Sequence, residues 1–183
     1  MEREIKEYKS LNQVAKHGGV VIFGEQTDKA IPVGELRESF NLEYSAYNRS
    51  FSDLNLDNAI ELYDSCVLPL FPETVMIHIG NSNDYWKDIT GFEQKYIALI
   101  KHIKEATKGV RVVVVSVDDE ETNRHLKNIA DSTKVDFQNV MHITTSNPQN
   151  IKCVNSFLQS IGLSGYKRQV SAYDLAKIFF RYA

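Results

Sequence analysis

The chain has 183 residues, 43% of them hydrophobic and 25% charged, with a formal net charge of −3. That length fits one domain with a sizeable core, so residues 1–183 are read as a single domain. A slightly acidic balance argues against nucleic acid and anionic membranes as partners, and no apolar run reaches the length needed to cross a bilayer.

The opening segment, MEREIKEYKSL, is charged and lacks an apolar h-region, so a cytoplasmic location is expected. Glu2 to Lys16 is predicted to be helical and to pack ahead of the first strand. GVVIFG, Gly19 to Gly24, is short and apolar on both alternating faces, as strands buried inside a parallel sheet are. YSAYNRS, Tyr44 to Ser50, is a weaker strand candidate. LDNAIELYDSCVLPLF then repeats its apolar positions at three and four residues, with Asn55 or Asp57 as N-cap.

TVMIHIG, Thr74 to Gly80, is the next buried strand. ITGFEQKYIALIKHIKEATKG is predicted as a helix with Phe92, Tyr96, Leu99, Ile100 and Ile103 along one face and Gly109 at its stop. VRVVVVSV, Val110 to Val117, is a third buried strand. DDEETNRHLKNIADSTK opens on acidic residues that suit a helix N-terminus, and VMHITT, Val140 to Thr145, is a weak fifth strand. NIKCVNSFLQSIG and VSAYDLAKIFFRYA read as two closing helices. Alternating strands and helices imply right-handed crossovers and a doubly wound, mainly parallel sheet. Any ligand site then lies beyond the carboxyl ends of the strands.

Those strand ends carry the informative residues: Gly24-Glu25-Gln26 after the first strand, Tyr47-Asn48-Arg49-Ser50 after the second, Gly80 to Asp84 after the third, and SGYK, Ser164 to Lys167, before the last helix. In order and spacing, from about Val20 to Ala183, they resemble the blocks of the SGNH hydrolases, the GDSL lipase and acylhydrolase superfamily. The resemblance implies a three-layer α/β/α fold with a five-stranded flavodoxin-like sheet. It also implies hydrolysis of esters, thioesters or sugar acetyl groups.

The family pattern is Gly-Asp-Ser, then an Asn-Arg-Gly-like turn, then Gly-x-Asn-Asp, then Asp-x-x-His. Here Gln26 stands in the place of the nucleophilic serine, and Ser164 and Lys167 stand in the places of the aspartate and histidine. An amide cannot attack a carbonyl, because its nitrogen lone pair is delocalised. Ser50 replaces the oxyanion-hole glycine but keeps a backbone N–H. Either Asn81 or Asn83 takes the asparagine's place, with one extra residue between Gly80 and Asn83. The chain thus resembles a degenerate branch that lacks the triad.

Other residues have plainer readings. Glu25 and Asp84 are expected to cap a helix and anchor a turn rather than to form a catalytic carboxylate pair. His78 and His142 are expected as hydrogen-bonded residues within strands, and His125 as a solvated one. Cys66 and Cys153 are expected to be reduced, buried thiols. Without His-x-x-x-His or Cys-x-x-Cys spacing, no metal and no cofactor are expected. Tyr85 and Trp86 suit stacking on a flat ring or packing under a lid. The Asp118 to Glu121 run is a solvated helix start.

Three functions follow, in this order. The first is a pseudoenzyme that holds a small-molecule or sugar-ester-like ligand. The second is an ester hydrolase with a relocated nucleophile, Thr27, served by Lys167 as base. The third is a structural or regulatory protein-interaction module.

Overall fold

The computed structural model describes residues 1–31, 33–34, 44–80, 88–117 and 119–139. In chain order these form α1 (Glu2–Asn12), β1 (Val20–Gly24), a 3-10 turn (Gln26–Ala30) and β2 (Ala46–Asn48). Next come α2 (Ala59–Leu62), β3 (Thr74–His78), α3 (Ile89–Ala106), β4 (Arg111–Val115), α4 (Glu120–Thr133) and β5 (Asp136–Gln138). The sheet has five strands in the order β2-β1-β3-β4-β5, all pairs parallel. That is the doubly wound, flavodoxin-like arrangement expected, and its topological switch point lies between β1 and β3.

The β-branched runs form the central strands because both of their faces are covered. Val21, Phe23, Val75, Ile77, Val112 and Val114 join one core with residues of α2, α3 and α4. The alternate residues Val20, Ile22, Met76, Val113 and Val115 are buried as well. A three-layer α/β/α sandwich requires burial on both faces. Phe23 meets Phe51 and Tyr63 edge-on, with ring centroids 6.3 and 6.2 Å away.

α3 buries the five residues its sequence assigns to one face, Phe92, Tyr96, Leu99, Ile100 and Ile103. Asp88 caps it, accepting the Gly91 amide. Asp119 does the same for α4 through Thr122. The apolar run after Asn55 is not one regular helix. Its α-helical turn, Ala59–Leu62, widens into a π turn, Tyr63–Val67, and tightens into a 3-10 turn, Leu68–Leu70, around Pro69. Its N-cap is Asn58, while Asn55 Oδ1 accepts the Asp57 amide in the preceding turn.

The fifth strand is Asp136–Gln138, ahead of Val140 to Thr145; those residues, both closing helices, Cys153 and His142 lie outside the described residues. His125 is not simply solvated: its Nδ1 lies 2.6 Å from Glu93 Oε1, tying α4 to α3. His102 similarly ties α3 to Asp64 of the π turn at 2.6 Å. Among the described residues no helix is long and apolar enough to cross a membrane.

Candidate functional site

β1 delivers the chain through Gly24 to the C-terminal rim of the sheet, where the 3-10 turn begins at once. Glu25 is the N-cap of that turn, in extended conformation. Gln26 and Thr27, its first two residues, are exposed to solvent. Asp28, the third, turns inward and is only 8% exposed. A 3-10 turn winds three residues per turn, so one residue in a turn faces the sheet while its two neighbours face away.

Three polar groups lock the turn in place. The Asp28 carboxylate accepts the backbone N–H of Glu25 through Oδ2 at 3.1 Å, the return bond of a capping box. The Glu25 carboxylate accepts the Gly80 amide through Oε1 at 3.1 Å, bridging from the end of β1 to the end of β3. Asn48 donates its side-chain N–H to the Asp28 carbonyl at 2.6 Å, bridging to β2 on the other side. The turn is therefore fastened to both neighbouring strands.

The innermost contact of the site is a histidine–aspartate pair. His78, the last residue of β3, places Nδ1 2.9 Å from Asp28 Oδ1 and 2.8 Å from Oδ2. His78 is 6% exposed. Burial alone would push its imidazole pKa down. The hydrogen bond and charge of Asp28, the charge of Glu25 and the Ser116 carbonyl outweigh that and raise it above its usual value. Tyr96, from α3, is fully buried near Glu25; burial and that carboxylate push its phenol above the usual range.

The backbone donors at the rim are also engaged. The Ser50 amide, expected as an oxyanion donor, donates to Asn48 Oδ1 at 3.0 Å, and Ser50 is fully buried. The Phe51 amide donates to the Gly24 carbonyl at 3.0 Å. On the outer side, Tyr8 of α1 donates its hydroxyl to the Ser50 carbonyl at 2.6 Å. Arg49 is buried between the rings of Tyr8 and Tyr47, 5.0 and 5.4 Å from their centroids. Its guanidinium donates to Asn12 Oδ1 and to the Asn48 carbonyl. Glu4 accepts Lys29 of the turn and both the amide and hydroxyl of Ser52. α1 is thereby bolted to the first two strand ends.

The structure thus gathers Gly24, Glu25, Gln26, Thr27, Asn48, Ser50 and Gly80 at one edge. Asn81, Asn83, Asp84, Tyr85, Trp86, Asp118, Ser164 and Lys167 lie outside the described residues. Among the described residues the Thr27 hydroxyl bonds to no basic side chain, and no three His, Cys, Asp or Glu groups gather as a metal site. The sequence reading did not single out Asp28. Its signal was a histidine at the end of an apolar strand, which needs a polar partner when buried. The partner is 50 residues away and visible only once the strands pair.

No protein-family model matches the sequence, and no curated protein sequence does either. Solved structures do match. A protein designated an acylhydrolase from Bacteroides fragilis aligns over 84% of this chain and 93% of its own, at 13% identity and a TM-score of 0.63. A GDSL-like lipase from Bacteroides thetaiotaomicron aligns over 74% and 77%, at 16% identity and a TM-score of 0.59. A protein designated a GDSL-like lipase from Parabacteroides merdae aligns over 90% and 94%, at 14% identity and a TM-score of 0.55. The chain shares the fold of these lipase-like and acylhydrolase-like structures.

Proposed function

We propose that this protein holds a small polar molecule, of sugar-ester or acyl-ester chemistry, at the C-terminal rim of its sheet and does not cleave it by the Ser–His–Asp route. The observation that carries this reading is Gln26, exposed at the head of the 3-10 turn, in the place that the sequence resemblance gives to the SGNH serine. A carboxamide offers a ligand one donor and one acceptor group but no nucleophile. The surrounding groups fit a rigid binding edge. Glu25, Asp28, Asn48 and the Ser50 amide satisfy one another, which leaves the exposed side chains of Gln26 and Thr27 to face a ligand.

Turnover of p-nitrophenyl acetate and butyrate tests the absence of cleavage. The expected rate matches that of the Thr27→Ala variant. A wild-type rate well above that variant would instead make Thr27 the nucleophile of an active esterase. Binding is read separately from the fluorescence of Trp86, the sole tryptophan. A saturable change on titration with an acetylated sugar supports the reading, and a flat titration across such esters counts against it.

A further inference from the structure

We infer that His78 is the positioning residue of this edge, a proton-operated clamp. While its imidazole is protonated it holds the Asp28 carboxylate, and through it the Glu25 amide and the head of the 3-10 turn, against the end of β3. This inference rests on the proposed ligand-binding reading, since it assigns a pH dependence to that same edge.

The geometry supports a clamp rather than a passive core contact. Asp28 serves two groups with one carboxylate: the His78 ring at 2.8 Å and the Glu25 amide at 3.1 Å. Glu25 is in turn held to β3 through the Gly80 amide. His78 and Gly80, two residues apart on one strand end, therefore grip the turn at two points. Between them and the turn lies Gly24, paired in register with His78 and bearing no side chain to intervene.

Among the described residues, the titratable and charged groups around the ring are few. The turn supplies Asp28 and Glu25. The end of β4 supplies the Ser116 carbonyl, and α3 supplies the Tyr96 phenol beside Glu25. Both charged neighbours among the described residues are anionic, so the protonated ring is the counter-charge for a buried carboxylate. Loss of that proton leaves Asp28 beside a neutral ring whose Nδ1–H can still donate, but the bond loses the charge assistance of the imidazolium and weakens. The turn then loosens from β3, and Gln26 and Thr27 lose their fixed position.

The clamp is measured on the full chain without ligand, so it stands or falls separately from the binding reading. Two-dimensional NMR follows the His78 ring and the Glu25 amide proton from acid to alkaline pH. The expected result is a His78 midpoint above the ordinary value of about 6.5, with the Glu25 amide proton moving upfield at the same midpoint as its bond to Asp28 weakens. Asp28→Asn, which keeps the side-chain shape, lowers the His78 midpoint and flattens the Glu25 response. His78→Gln removes the response altogether. A Glu25 amide that stays fixed across the His78 midpoint, or a midpoint at or below 6.5, overturns the clamp. If either variant fails to fold, the wild-type titration alone decides. A Glu25 amide that follows His78 in a protein that binds no ester retains the clamp and rejects the binding reading.

Discussion

The carboxylate of Asp28 occupies the space that a side chain at Gly24 would need: a Cβ there would stand 2.0 Å from Asp28 Oδ2 and 2.7 Å from Cγ. Glycine at the end of β1 is what lets Asp28 reach across to His78.

Gly24→Ala is therefore expected to force the 3-10 turn outward. Overpacking a tight site of this kind costs about 1–3 kcal/mol, and urea unfolding should show a loss in that range. The same variant should lower the His78 midpoint, because the ring is parted from its counter-charge. A change at Gly34, where an added Cβ would meet nothing within 4 Å among the described residues, should leave both readouts close to wild type.

Stability should also depend on pH through His78. A pKa raised in the folded state means that the pair's contribution is complete below about 6.5, the unfolded value. It is then lost as pH rises through the higher folded value. Urea midpoints measured from pH 6 to 9 should fall more steeply for the wild type than for His78→Gln. Asp28→Ala, which strands the imidazolium without its partner, should cost about 3–5 kcal/mol near neutral pH.

Glu4 gives the opposite sign. Partial burial alone would raise its pKa. Bonds from Lys29, Ser52 and the N-terminal amine outweigh that and lower it from 4.5 to about 2. The stability it contributes is present above pH 4.5 and is lost as pH falls towards 2. Thermal melts between those limits should show a shallower acid dependence in Glu4→Gln than in the wild type.

Cys66 is fully buried at the π turn, and burial raises its thiol pKa. In native protein it should resist a thiol reagent at neutral pH and react once the chain is unfolded in guanidinium. Mass spectrometry of the labelled peptides distinguishes it from Cys153.

The central strands were legible because burial on both faces leaves a plain mark: VVIFG, TVMIH and RVVVV carry no polar residue between their ends. α3 was legible for the complementary reason, a single apolar stripe at helical spacing. β5 was not, because Asp136-Phe137-Gln138 lies at the sheet edge with one exposed, one half-buried and one buried residue. So short a mixed run has no periodicity to read. The break in the helix after Asn58 was hidden for another reason: a π turn keeps apolar residues inward while changing the spacing that would reveal it. At the site, Glu25 as an N-cap could be read locally. The Asp28–His78 bond could not, since it depends on which residues the parallel register sets side by side.

The central claim is that this edge carries no reactive hydroxyl. Incubation of the native protein with a fluorophosphonate, followed by peptide mapping, reads this without knowledge of the ligand. The expected result is no adduct on Thr27 or on any other residue of the rim. A stoichiometric adduct on Thr27, lost in Thr27→Ala, would contradict it.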